Sequence, residues 1–267
     1  MTCPRAAAGS RGYTQARERA LRIVGRDGGG AVRRWIVGLG LAALFSWSAV
    51  QVVGFYRQHW PSIVRLPAIT AAAMRRHHAQ PVVLSAVSPW FLKALIATED
   101  RTFYTNLGVS LQGIVRSFWV DLQEGAYVQG GSTITQQLVR DQLLTTKKTF
   151  RRKLSGALLA LAVTARYPKP EILDLYVNQV YLGNGYWGVG SAARGYFGTS
   201  ARRLSPAQVA VLAGVPQAPS ALDPLVHLRA ARQREWVVLE NLVAIRALTP
   251  ARAHQIFRMP LHLVRHS

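Results

Sequence analysis

The sequence predicts a mainly α-helical domain behind one N-terminal transmembrane helix, and three observations carry that prediction. Trp35 to Tyr56 contains no charged side chain. Downstream, apolar residues recur at three- and four-residue spacing behind capping signals. No hairpin signal and no internal repeat interrupts that pattern. A chain of 267 residues has room for such an anchor and one sizeable domain with its own core.

Residues 1–34 carry Arg5, Arg11, Arg17, Arg19, Arg22, Arg26, Arg33 and Arg34 against only Glu18 and Asp27. Gly28-Gly29-Gly30 is expected to interrupt any helix there, so the stretch reads as a short disordered basic tail. Trp35–Tyr56 then offers 22 positions, roughly 33 Å as a helix, enough for the hydrocarbon core of a bilayer. Trp35 and Tyr56 stand at its two ends, where amphipathic rings prefer the interface. The apolar run is too long for a cleaved signal peptide. Arginines ahead of it keep the tail in the cytoplasm and send everything after Arg57 to the outer, periplasmic side of the cytoplasmic membrane as a single-pass protein.

Residues 57–87 hold Pro61, Pro67, Pro81 and the cluster Arg75-Arg76-His77-His78 and read as a membrane-proximal connector. The His pair reads as a solvated or lipid-facing patch, since no third ligand is spaced for a metal. Residues 88–267 form the expected domain. Ser88-Pro89 is an N-cap followed by proline at the first helical position, introducing Trp90 to Thr98. Leu111, Ile114, Val115, Phe118, Trp119 and Leu122 recur at helical spacing. Leu154, Ala157, Leu158, Leu161 and Ala165 form the apolar stripe of another helix. One more begins near Pro170 and buries Ile172, Leu173, Tyr176, Val177 and Val180. Ser205-Pro206-Ala207-Gln208 is a capping box opening Val209 to Ala213, and Thr249-Pro250 opens a last short helix.

The formal charge of +21 suits nucleic acid, anionic lipid or a phosphorylated ligand. An exported domain faces away from the chromosome, which opposes nucleic acid. Cys3 is the one cysteine, so no intrachain disulfide forms.

Chemistry concentrates in two stretches. Gly130-Gly131-Ser132-Thr133-Ile134-Thr135-Gln136-Gln137 combines two glycines, which bring main-chain N–H groups close to a ligand, with uncharged side chains that donate and accept. Thr135 is the expected cap of the helix through Leu138, Val139, Leu143 and Leu144. A plain turn and capped helix is the simpler reading of the stretch alone. Acids are scarce after the anchor, and Glu99-Asp100 follows the apolar run Ala94-Leu95-Ile96-Ala97. A carboxylate emerging from a buried helix end has its pKa raised towards the range of a general base. On those two residues alone, an exposed pair beside Arg101 is the simpler reading.

The order of motifs decides between them. Ala97-Thr98-Glu99-Asp100-Arg101-Thr102-Phe103 with Gly108, then Gly130 to Gln137, resembles the peptidoglycan glycosyltransferase family, the transglycosylase domains of class A penicillin-binding proteins and their monofunctional relatives. Arg152-Lys153 looks like the third motif of that family. Glu171 to Asn178, continuing to Tyr181-Leu182-Gly183-Asn184-Gly185 and Gly188-Val189, looks like the fourth, and Leu212 to Pro219 like the fifth. The resemblance runs in order from about Ser88 to Leu242. Three positions depart from it: Asn106 stands where the family usually has histidine, Gly156 replaces the glutamate one turn after Arg152, and Gln208 stands where glutamate is frequent.

The resemblance implies a lysozyme-like helical fold and a polymerase of lipid-linked disaccharide-peptide units that releases polyprenyl pyrophosphate with inversion. Glu99 is then the general base. Asp100, Arg116, Gly131, Ser132, Thr133, Gln136, Gln137, Arg140, Lys148, Arg152, Lys153 and Asn178 are the candidate substrate-binding residues, with Tyr176 and Lys147 beside them. A sugar alkoxide leaving group needs an acid, whereas pyrophosphate leaves as a stable anion and needs positive charge, so one carboxylate suffices. A divalent cation, Mg or Mn, bridging the pyrophosphate is compatible with this chemistry, and no residue is assigned to it. The expected partners are the lipid-linked precursor, the growing glycan strand, the membrane and other cell-wall synthesis proteins, not nucleic acid. No Ser-x-x-Lys paired with Lys-Thr-Gly occurs up to Ser267, so transpeptidase activity is not expected. The rivals are a non-catalytic precursor-binding scaffold, suggested by Gly156, and a lysozyme-type wall hydrolase using Glu99.

Overall fold

The computed structural model describes residues 10–110, 131–144 and 150–264, with side chains from residue 33 onward except at 150. It divides into two compact units, Met1–Gln58 and His59–Ser267.

Most of helix α1 (Ser10–Val64) belongs to the first unit. It runs through Gly28-Gly29-Gly30 without a break, contrary to the expected interruption. Each glycine costs about 1 kcal/mol of helix propensity against alanine, which weakens a helix without forbidding it. Within it, Arg33–Val64 is long and apolar enough to cross a membrane by length and composition, and none of its most apolar window is buried by protein.

The second unit is built from helices. α2 (Leu66–Arg76) follows a proline start, ends on two arginines and buries Leu66, Thr70 and Ala73. Residues 57–87 are therefore largely helical. They are also tied down, because the Tyr167 hydroxyl donates to the Ile63 and Val64 carbonyls at 2.9 Å each. α3 (Pro89–Glu99) starts on proline as expected, although the Ser88 side chain makes no capping bond.

α4 (Ile134–Leu143) is capped by Thr133, two residues before the expected Thr135. Thr133 Oγ1 accepts from the Gln136 backbone N–H at 3.1 Å, and Gln136 Oε1 accepts from the Thr133 N–H at 2.9 Å. The closed box needs a glutamine three residues after the cap. From Thr135 the third residue is Leu138, which belongs to the core. Thr135 is instead buried in the first turn.

α5 (Phe150–Arg166) is helical as expected but buries a different face. Gly156, Leu159, Ala160 and Val163 are inside, whereas Leu154 is 54% exposed and Ala165 is exposed. Both stripes obey helical spacing and lie about two residues apart, on roughly opposite faces. On the buried face Gly156 lies beside Leu144 at the end of α4 and the Ala160 carbonyl lies against Gly108, contacts that spacing alone does not register.

α6 (Lys169–Gln179) buries Ile172, Leu173, Tyr176 and Val177 as expected. A short bridge, Tyr181 to Trp187, closes the loop to α7 (Gly188–Phe197). α8 (Pro206–Gly214) opens with the expected Ser205–Gln208 box, and Gln208 Nε2 also donates to the Leu261 carbonyl at 2.8 Å. α9 (Leu228–Ala244) and α10 (Pro250–Phe257, capped by Thr249) complete the unit. The helix expected through Leu111–Leu122 lies outside the described residues.

Among the described residues there is no strand, and the mainly α expectation holds. α3, α8 and α9 pack on one another, while α4 packs on α5 and α6 and α2 packs on α6. The C-terminus of α3 therefore ends where the first group meets α4 of the second.

Candidate active site

Glu99 is the last residue of α3 and Asp100 its C-cap. The apolar residues before them, Phe91, Ala94 and Leu95, are fully buried, so the helix carries its terminal carboxylate into the interior. The Glu99 side chain is 9% exposed. Gln137 Nε2 on α4 donates to Glu99 Oε2 at 2.7 Å. Arg234 Nη2 on α9 lies 3.9 Å from Oε1. Burial pushes the Glu99 pKa up, and the Gln137 amide followed by the charges of Arg234 and Arg140 pulls it partly back. The outcome is a carboxyl held above its ordinary value and fixed in position.

Gln137 is itself oriented from behind. The Tyr176 hydroxyl on α6 donates to Gln137 Oε1 at 2.9 Å. Because the carbonyl end of the amide is taken, its NH2 end must face Glu99. Tyr176 is buried and its pKa is raised well above the ordinary value, chiefly by desolvation, so it serves this amide as a neutral donor.

Asp100 turns the other way. Asn106 Nδ2 donates to its two carboxylate oxygens at 2.9 and 3.0 Å, Thr102 Oγ1 donates at 3.1 Å, and the Ile134 backbone N–H donates to Oδ2 at 3.2 Å. Burial raises its pKa despite these bonds. Asp100 ties the loop after α3 to the N-terminus of α4. The second tie is Thr133 Oγ1, which donates to the Gly108 carbonyl at 2.6 Å. Gly108 has φ +97°, and a Cβ there would stand 2.3 Å from the Ala160 carbonyl oxygen, so only glycine fits.

The remaining candidates separate into groups. Gly131 is half-buried, Ser132 exposed, and Gln136 gives its Oε1 to the capping box. Arg140 pairs with Asp141 at 2.8 Å while its charge acts on Glu99. Arg152 is half-buried and Lys153 exposed on α5. Asn178 is engaged elsewhere: Nδ2 donates to the Val82 and Asp174 carbonyls at 2.8 and 2.9 Å, and Oδ1 accepts from the Val82 N–H at 2.9 Å. It pins an extended segment to α6 and none of these bonds reaches Glu99. Arg116, Gly130, Lys147 and Lys148 lie outside the described residues. Gly156 is buried on α5, and a Cβ there would meet Leu144 at an ordinary 3.5 Å. No acid occurs anywhere along α5. No three His, Cys, Asp or Glu side chains gather among the described residues to hold a metal ion.

Sequence reasoning missed Arg234. It sits in a charge-dense helix start, Arg229 to Glu235, that reads as a solvated face. A signal existed in Gly214, the last residue of α8, because a helix glycine marks close approach. A Cβ at Gly214 would stand 2.7 Å from Arg234 Cγ, and Arg234 Nε donates to the Gly214 carbonyl at 3.3 Å.

The family model described as Transglycosylase matches residues 68–243. Penicillin-binding protein 1A of Aquifex aeolicus is 39% identical over 180 residues, covering 67% of this chain and 25% of that protein. Penicillin-binding protein 1A of Escherichia coli is 44% identical over 163 residues, covering 61% and 19%. A crystal structure of penicillin-binding protein 1A from Haemophilus influenzae aligns with a TM-score of 0.42 at 21% identity, covering 71% of this chain and 18% of that one. The chain thus spans about a fifth to a quarter of the length of these relatives. With more than half of its residues matched in one continuous stretch that includes Glu99, Gln137 and Arg234, the chain belongs to the transglycosylase family.

Proposed function

We propose that this chain polymerises peptidoglycan glycan strands from lipid-linked disaccharide-peptide units, with Glu99 as general base. In this reading the Glu99 carboxylate takes the proton from the 4-hydroxyl of one disaccharide as that oxygen attacks the anomeric carbon of another. The new glycosidic bond forms with inversion as the bond to polyprenyl pyrophosphate breaks. The departing pyrophosphate is steadied by cations, for which Arg140, Arg152 and Lys153 are the candidates along with Lys148. Positive charge does there what a second carboxylic acid does in glycoside hydrolysis. Base catalysis of this kind contributes roughly 10²- to 10⁴-fold.

The observation that carries the reading is a buried glutamate fixed by one neutral amide and one distant guanidinium. Glycoside hydrolases of the common type flank the bond with two carboxyl groups. The carboxylate next to Glu99, Asp100, is already engaged by Asn106, Thr102 and the Ile134 N–H, which favours transfer over hydrolysis. The uncovered apolar surface of Arg33–Val64 supports a membrane anchor at 35–56. In this proposal residues 1–34 are cytoplasmic, residues 57–87 lie next to the membrane, and 88–267 form the catalytic domain outside. The lipid-linked precursor and growing strand are the substrates, and no transpeptidase activity is assigned.

Wild type and Glu99→Gln, incubated side by side with labelled lipid-linked precursor, test the proposal. The variant is expected to fold, to bind precursor and to make no polymer. Wild-type product lengths from Glu99→Gln refute the assignment. The absence of any acid along α5 favours one second reading, a precursor-binding scaffold. Binding without polymer by wild type, across all divalent-cation conditions, selects it.

A further inference from the structure

Lys169, the first residue of α6, lies outside the segments that carry the candidate base. Its Nζ nevertheless donates to Asn106 Oδ1 at 2.9 Å and sits 4.9 Å over the Phe103 ring centroid. Asn106 Oδ1 also accepts from the Gly108 N–H at 2.9 Å. The opposite end of the same amide donates to both oxygens of Asp100. The ammonium, together with the Gly108 N–H, therefore fixes which end of the Asn106 amide points where, since both can only donate. With the amide so oriented, the Asp100 carboxylate is turned onto the Ile134 N–H and Gly108 is turned to receive Thr133. These two ties hold the first turn of α4, and Gln137, one turn on from Ile134, holds Glu99.

We infer that Lys169 is a positioning residue for Glu99, acting through the Asn106 amide and the start of α4 without touching substrate. The inference rests on the proposed role of Glu99 for its activity readout only. Phe103 is fully buried beneath the lysine, so the ammonium is held between a ring face and an amide oxygen. An arginine retains both interactions, cation over ring and donor to oxygen, whereas methionine fills the space and loses both.

The test uses the full chain in detergent micelles, with Lys169→Met, Lys169→Arg and Asn106→Ala. Hydrogen exchange is read for peptides covering 106–108 and 134–137, and for α8 and α9 as controls. Lys169→Met is expected to speed exchange in the first two segments by about tenfold or more and to leave α8 and α9 unchanged. Its kcat on lipid-linked precursor should fall roughly 10- to 100-fold with KM within about twofold, because the base is misplaced and substrate contacts are kept. Lys169→Arg should restore most of both. Asn106→Ala should reproduce the pattern, and the double variant should be no worse than either single one.

Unchanged exchange at 106–108 and 134–137 in Lys169→Met overturns the inference. So does uniform acceleration that includes α8 and α9, or a double variant whose effects add. If wild type makes no polymer, the proposed function falls, and the exchange data alone decide the role of Lys169.

Discussion

Glu99 is approached from two sides that differ in kind. From α4 comes a neutral amide at 2.7 Å, itself oriented by a buried tyrosine. From α9 comes a guanidinium at 3.9 Å that is shared with a backbone carbonyl. Contact distance is given to the partner without charge, and the charged partner is kept back. A buried carboxylate in a close two-pronged bond with arginine would be locked into its ionised form and lose its affinity for a proton. The arrangement around Glu99 keeps the geometry of a strong contact while burial still raises its pKa. In the proposed role of Glu99 as base, the α4 side fixes where the carboxylate is, and the α9 side trims how readily it takes a proton.

The sharpest way to break the comparison is to remove the near partner. Gln137→Leu keeps the bulk, deletes the donor to Glu99 and leaves the Tyr176 hydroxyl without its acceptor. Polymerisation should drop about tenfold or more, since a hydrogen bond to a charged group contributes roughly 1.5–3 kcal/mol. Because the amide is the largest influence lowering the Glu99 pKa, its loss moves that pKa further up. In the proposed role of Glu99 the active form is the deprotonated one, so the acidic limb of the rate–pH profile should shift to higher pH. A drop in rate with the limb unmoved would mean that Gln137 acts on substrate rather than on Glu99.

Removing the far partner should do less. Arg234→Met should shift the same limb in the same direction by a smaller amount, with a fall in rate of a few-fold, the scale of a partly hydrated ion pair. Gly214→Ala gives the independent check. Its new Cβ would crowd Arg234 Cγ at 2.7 Å and Val238 Cγ2 at 3.2 Å, so the arginine stem must move. It should reproduce part of the Arg234→Met shift while leaving every charged residue in the sequence intact. Equal shifts from Gln137→Leu and Arg234→Met would erase the distinction between the two sides.

The same contrast explains what could be read from the chain beforehand. The α4 side announces itself locally. A threonine three residues before a glutamine, after two glycines and ahead of an apolar run, predicts a capped helix, and only the identity of the cap was misjudged. Periodicity located α5 but not its buried face, because Leu154 and Leu159 both belong to acceptable stripes and packing on α4 chose the one with Gly156 and Ala160. The inward role of Asp100 needed the Ile134 N–H, 34 residues on. Arg234 was out of reach for the same reason: its function depends on Glu99, 135 positions earlier, and on the space left by one glycine. Charge-rich helix starts on a basic protein are usually solvated, and nothing within α9 distinguishes Arg234 from its neighbours.

Its immediate neighbour carries the most separable prediction. Glu235 is 0% exposed and meets Arg232 Nη1 at 2.8 Å. Arg232 also lies over the Phe257 ring and donates to the Phe257 and Met259 carbonyls, so its charge is divided among several acceptors. Burial dominates, and the Glu235 pKa is pushed up to about 8 against an ordinary 4.5. The folded state therefore holds a proton that the unfolded chain releases near 4.5. Stability then falls as pH rises between those two values, and the loss is complete above the higher one. Glu235→Gln keeps the shape of the protonated acid and cannot ionise. Thermal melts should coincide for the variant and wild type below about pH 4, and the variant should melt increasingly higher as pH rises, by several degrees or more at about pH 8.5. A variant that melts lower at pH 8.5 would mean that the Arg232 ion pair outweighs burial, and that α9 stabilises its core-facing carboxylate as an anion while α3 keeps Glu99 poised to accept a proton.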